Sequence, residues 1–231
     1  MDDKTFSALE ETISFYTRND YAIINSLLVG NMDDLWKSSL IAYNDNKGII
    51  EEYKNGQRQI KSEYDIKWLK ILNKRLISVL DKSTKEKIIE TAQKDIGNIL
   101  TAMRPVKSNI LLYRTAWIDE NNKINNTYPY SHQYKSIYLS INDIISIKTI
   151  SSTSLIPYRE DEIDCEFYRY EITVPAGKKV LELDQFTYHN ESGEVLLPPM
   201  KCKVTGIRNS DQEKCKGIVE FKYMEQLENE S

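Results

Sequence analysis

Ile96-Gly97-Asn98-Ile99-Leu100-Thr101-Ala102-Met103-Arg104-Pro105, followed after a polar break by Ile110-Leu111-Leu112-Tyr113-Arg114-Thr115, is where the chain changes its period. Upstream, Trp68, Leu69, Ile71, Leu72, Leu76, Val79 and Leu80 recur at i, i+3 and i+4, the signature of one buried helical stripe. Ser83 with Glu86 has capping-box spacing and opens a second stripe of Ile88, Ile89, Ala92, Ile96, Ile99 and Met103. Two antiparallel helices are predicted there, and earlier ones over about 5–15, 19–29 and 33–43, with Gly30-Asn31 and Asn44-Asp45-Asn46 as breaks. Downstream of Pro105 short apolar runs alternate with polar and glycine breaks, which reads as strands over 110–113, 144–147, 170–174, 180–183, 195–197, 204–207 and 218–223. Helices first and strands afterwards predict an α+β domain. In this reading 1–231 is a single domain: a helical half, 1–104, packed on an antiparallel β-sandwich core, 105–231. Asn121 to Ser131, rich in Asn and Tyr, reads as an exposed loop.

The composition is that of a globular protein, with 231 residues of which 40% are hydrophobic and 29% charged, so disorder and fibrous architectures are excluded. Residues 1–104 carry 16 basic and 16 acidic side chains, and residues 105–231 carry 15 and 19. The whole net charge of −4 therefore lies in the strand-rich half, which has no bulk attraction for phosphate backbones or anionic lipid. Cys165, Cys202 and Cys215 are too few and too irregular for a disulfide framework or a four-ligand zinc site. His132 and His189 form no metal-binding spacing. The start Met1-Asp2-Asp3-Lys4 lacks the apolar segment of a signal peptide, and no run approaches the ~18 apolar residues of a membrane span. A cytoplasmic protein, or one delivered into a target cell by a separate route, is expected.

Four pieces of the second half carry chemistry when taken together. Arg114 closes an apolar run, so its guanidinium emerges at a strand end. Ser151-Ser152-Thr153-Ser154 sets four hydroxyl residues beside an Ile-rich strand. Val174-Pro175-Ala176-Gly177-Lys178-Lys179 is a turn between strands, and Glu194 begins the apolar run Val195-Leu196-Leu197 after the polar segment Thr187 to Gly193. Singly these are a surface arginine, hydroxyls satisfying strand-end amides, a register turn and a charged strand start.

In this order they resemble the R–S–E signature of the mono-ADP-ribosyltransferases, with the clostridial binary-toxin and insecticidal-toxin branch the nearest likeness. Tyr16-Thr17, Tyr21, Ile24-Asn25 and Leu28 resemble that family's early tyrosine-rich helix, and at 3.6 residues per turn Tyr21 and Asn25 share a face. The resemblance implies an ADP-ribosyltransferase fold whose β-rich half carries the cleft for NAD, used as substrate without any metal. Glu194 would stabilise the ribose cation, Arg114 would grip the pyrophosphate, and Ser152 would orient Glu194. Thr153 and Ser154 would shape the cleft floor, and Tyr16, Tyr21 and Asn25 would line it. The family's nicotinamide-stacking aromatic and phosphate-side arginine would be Tyr158 and Arg159, with Phe167 as rival. Two residues before the glutamate, where relatives carry Glu or Gln, this chain has Ser192, preceded by Glu191. Tyr188 or Phe186 would face the acceptor.

The leading functional expectation is a mono-ADP-ribosyltransferase acting on a macromolecule as a bacterial or phage effector or toxin. An NAD glycohydrolase is the second reading, made credible by Ser192, and a catalytically inactive binding module of the same fold is the third. Protein is favoured over nucleic acid as acceptor because the C-terminal half is acidic, although Lys67, Lys70, Lys74 and Arg75 form a basic helical run. No membrane partner is expected; a delivery partner, antitoxin or inhibitor would suit a toxin of this size.

Overall fold

The computed structural model describes residues 3–16, 21–61, 63–75, 82–117, 139–159, 163, 166–184, 186 and 193–228. The chain divides into two compact units, Met1–Ile99 and Leu100–Ser231, close to the change of period at Pro105.

Among the described residues five helices precede the strands: α1 Asp3–Phe15, α2 Tyr21–Leu28, α3 Met32–Lys54, α4 Glu63–Arg75 and α5 Lys82–Ala102. The Gly30-Asn31 break is present, with Gly30 at φ +71° and the Asn31 side chain accepting from the Asp34 amide as an N-cap. Asn44-Asp45-Asn46, predicted as a break, is instead the middle of α3. Leu35, Ser39, Ala42, Asn46 and Ile50 are all buried at helical spacing, so packing of that stripe overrides the weak helix propensity of the Asn and Asp residues. Ile50 joins Trp68 and Leu72 in an α3–α4 core. The Thr12 hydroxyl donates to Asp95 Oδ1 at 2.8 Å and accepts from the Asn98 amide at 3.0 Å, which ties α1 to α5. Leu76, Val79 and Leu80 of the predicted stripe, and Asp81 in the short break before Ser83, lie outside the described residues.

Among the described residues the second unit has nine strands: β1 Arg104–Pro105, β2 Ile110–Trp117, β3 Ile144–Ile147, β4 Ser151–Ser154, β5 Phe167–Val174, β6 Lys179–Glu182, β7 Glu194–Leu197, β8 Met200–Arg208 and β9 Cys215–Gln226. Six of the seven predicted runs fall within one of them and 180–183 overruns β6 by one residue; β4 lies outside those runs, and the two-residue β1 carries no sequence signal. Their hydrogen-bonded order is β1-β6-β7-β4-β2-β5-β9-β8-β3. The sheet is mixed where an antiparallel one was expected, because β5 and β9 run parallel from Phe167↔Cys215 to Thr173↔Lys222. Apolar alternation reports which face of a strand is buried and carries no strand direction.

Two links decide the shape of this unit. β7 and β8 stand five places apart in the order, yet only Pro198 and Pro199 join them. In a flat sheet they would lie about 24 Å apart, whereas three Cα steps reach at most about 11 Å. β3 and β4, also five places apart, are joined by residues 148–150 alone. The sheet therefore folds back across itself. One core forms between its parts, with Leu112, Ala116, Tyr170, Val195, Leu197, Met200, Val204, Phe221 and Tyr223 in a single buried cluster. Lys178, just before β6, accordingly sits 5.6 Å from the Tyr223 ring of β9. The ladders themselves define one continuous order of strands and not two separately bonded sheets.

Burial pushes the Cys202 thiol from 9.0 to about 12 and the Tyr223 phenol from 10.0 to about 12. Across pH 9–12 the folded chain therefore holds protons that the unfolded chain has released, and stability falls as pH rises. The urea midpoint should be lower at about pH 11 than at about pH 8, with a shallower fall in Cys202→Ala; equal midpoints for the parent at the two pH values would contradict this.

Candidate active site

The strand order places β4 between β7 and β2, so Arg114, Ser152 and Glu194 stand on three neighbouring strands. On β4 the residues alternate: Ser151 and Thr153 are buried, while Ser152 is exposed and Ser154 half-buried. Ser154 is registered with Glu194 and Ser152 with Leu196, so Ser152 and Glu194 are diagonal neighbours on one face. The Ser152 hydroxyl donates to Glu194 Oε1 at 2.6 Å. This is a short, charge-assisted bond that fixes the rotamer of the carboxylate.

The β2–β4 contact is a single registered pair, Tyr113↔Ser154. Beyond it, Arg114 reaches across and its Nη1–H donates to the Ser152 carbonyl oxygen at 3.2 Å. The guanidinium thus occupies the place of a ladder donor while remaining half-exposed. On its other side Arg114 is registered with Tyr170 of β5. Burial pushes the Tyr170 phenol well above its ordinary value, and the nearby Arg114 charge opposes that rise.

The remaining sequence candidates are distributed as follows. Thr153 lies on the buried face and its hydroxyl donates to the Val195 carbonyl at 2.6 Å, which locks β4 to β7. Ser154 Oγ accepts from the Ile156 amide at 3.1 Å and starts the segment after β4. Tyr158, 54% exposed, and Arg159 are both on the surface, and the Tyr158 carbonyl accepts from Arg169 at 3.5 Å. Phe167 is not an accessible aromatic: it is buried with Ile163, Cys215 and Ile218 where β5 begins. Phe186 is likewise buried, so it does not face an acceptor. Tyr188, Glu191 and Ser192 lie outside the described residues. In the helical unit Tyr16 is buried and meets Tyr21 edge-on at 6.4 Å, and Asn25 is buried in α2. Among the described residues no group of three or more His, Cys, Asp or Glu could hold a metal ion, and no helix is long and apolar enough to cross a membrane.

The backbone around Glu194 is held from both sides. The Glu194 carbonyl accepts from the Leu183 amide at 3.0 Å, and the Gly193 carbonyl accepts from the Leu155 amide at 2.8 Å. The Gly193 amide donates to Asp184 Oδ1 at 2.8 Å. Asp184, nine positions away, has no periodic or motif signal that would have singled it out.

Residues 36–225, most of the chain, match the sequence profile described as ADP-ribosyltransferase exoenzyme. The chain belongs to the ADP-ribosyltransferase exoenzyme family. It is accordingly an NAD-dependent ADP-ribosyltransferase of toxin type, with NAD as substrate. Solved structures of such enzymes share the fold. The catalytic domain of VahC from Aeromonas hydrophila aligns at 15% identity with TM-score 0.51, covering 97% of this chain and 100% of that one. The Salmonella SpvB ATR domain aligns at 16% identity with TM-score 0.54 over the same shares. The catalytic domain of VsdC from Aeromonas hydrophila aligns at 14% identity with TM-score 0.50, covering 94% of this chain and 99% of that one. No curated protein matches the chain in sequence.

Gly193 adopts φ +93°, and a Cβ there would stand 3.4 Å from Leu155 Cβ. A non-glycine residue is strained in that backbone region whatever the space. Gly193→Ala is expected to lower unfolding free energy by about 1 kcal/mol or more in urea denaturation; an unchanged midpoint would show that the positive φ is not required.

Proposed function

We propose that this exoenzyme breaks the nicotinamide–ribose bond of NAD and passes ADP-ribose to a macromolecular acceptor, with Glu194, Ser152 and Arg114 as the reacting constellation. The observation that carries the reading is the 2.6 Å Ser152–Glu194 bond beside the Arg114 guanidinium. As the C1′–N bond stretches, its electron pair leaves with nicotinamide and positive charge develops on the ribose. A carboxylate hydrogen-bonded to the ribose 2′-OH attracts that cation more strongly in the transition state than in the ground state, so it lowers the barrier. The acceptor's nucleophile then bonds to C1′ and loses its proton to solvent. Ser152 holds the carboxylate in place, since misplacement by ~1 Å costs up to about 100-fold in rate.

Arg114 is the pyrophosphate ligand in this reading, because a planar guanidinium can grip two phosphate oxygens at once. Ser154 shapes the floor on the Ser152 face, Thr153 supports it from behind, and Tyr158 with Arg159 meets the nicotinamide end. Tyr188, Glu191 and Ser192 meet the acceptor. A protein acceptor is favoured over nucleic acid by the acidic strand-rich half. Ser192 favours one second reading, NAD glycohydrolysis, because a serine hydroxyl cannot serve as the base that Glu or Gln positions elsewhere supply or orient. An effector of this kind works with a delivery partner, an antitoxin or an inhibitor.

The test is incubation with NAD labelled on the adenylate phosphate in a cell lysate, followed by protease or nuclease. Loss of macromolecular label to protease is the expected outcome; loss to nuclease identifies a nucleic acid, and nicotinamide release without labelled macromolecule identifies a glycohydrolase. Glu194→Gln should lower kcat by about 100-fold or more with a smaller change in KM for NAD, and Ser152→Ala should lower it by about 10-fold. Undiminished turnover in Glu194→Gln would reject the site.

A further inference from the structure

β6 and β7 pair through Leu181↔Leu196 and Glu182↔Val195, and the Leu183 amide continues that ladder to the Glu194 carbonyl at 3.0 Å. At the next position the ladder ends, and a side chain takes over. Asp184 Oδ1 accepts the Gly193 amide at 2.8 Å. The carboxylate thereby binds an amide that a regular antiparallel continuation of β6 and β7 would leave unbonded between them. Asp184 itself is exposed, so this contact is not a by-product of burial.

We infer that Asp184 is a positioning residue for Glu194, a role that rests on the reading of Glu194 as the carboxylate that meets the ribose. Gly193 is the residue through which it acts. Its φ of +93° marks a backbone that glycine adopts readily but leaves just as readily. Three bonds remove that freedom: Asp184 on the Gly193 amide, Leu155 on the Gly193 carbonyl, and Leu183 on the Glu194 carbonyl. Of these the Asp184 bond has a charged acceptor and is the strongest in kind. The Leu155 bond also ties this point to the segment that follows the serine strand. Without the Asp184 bond the Cα of Glu194 is free to drift relative to Ser152, and a 2.6 Å hydroxyl–carboxylate contact tolerates little drift.

The experiment compares Asp184→Ala, Asp184→Asn and Glu194→Gln for nicotinamide release from NAD, with kcat and KM measured separately. Asp184→Ala is expected to lower kcat by about 10-fold or more while KM for NAD moves by less than about 2-fold, since NAD contacts are untouched and only the reacting carboxylate is displaced. Asp184→Asn keeps a side-chain oxygen that accepts the Gly193 amide and should stay within about 3-fold of the parent. A parent-like kcat in Asp184→Ala, or an Asn variant as impaired as Ala, overturns the role. Full activity in Glu194→Gln overturns the underlying site reading and this role with it, whereas an inactive Glu194→Gln beside a fully active Asp184→Ala overturns the positioning role alone.

Discussion

Two short links govern the strand-rich unit. Pro198-Pro199 and residues 148–150 each carry the chain between strands that are five places apart in hydrogen-bonded order. Such short spans are compatible only with a sheet that turns back over itself. Proline also lacks the N–H a continuing ladder needs, so the Pro198-Pro199 corner ends β7 cleanly before β8 begins. The core clusters between the parts of the folded sheet, where Val195 and Leu197 of β7 meet Met200 and Val204 of β8.

The same threading produces the site. β4 enters between β7 and β2, and residues separated by about forty positions at each step come to adjacent strands. The junction of β4 with β2 is a single pair, so the backbone ladder opens directly beside Ser152. There the Arg114 guanidinium substitutes for a backbone donor to the Ser152 carbonyl, and the hydroxyl of the same serine bonds Glu194. The hydrogen bond from Ser152 orients the carboxylate. Family membership and this geometry bear on different questions, since a shared fold alone does not assign roles to residues.

Sequence patterning was informative wherever a period or an order of motifs sufficed. The strand at Ile144–Ile147 and the Val174–Lys179 turn stand where the apolar pattern and Gly177 put them. It failed where packing outvoted local preference. Asn44-Asp45-Asn46 is a break by composition, yet α3 runs through it because Asn46 and Ile50 extend a buried stripe. Phe167 and Phe186 are aromatic and near the motifs, yet both are core. The parallel pairing of β5 with β9 had no sequence signal, because direction depends on the long path of the chain between them.

The residues alone determined the helix-then-strand order, since that follows from spacing along the chain, and they carried the resemblance that singles out Arg114, Ser152 and Glu194 as candidates. Tertiary structure alone decided that Thr153 turns inward while Ser152 meets Glu194, and that Asp184 braces Gly193. Those outcomes depend on strand register and on contacts across loops, which bring together groups whose separation in sequence has no periodic relation to their distance in space.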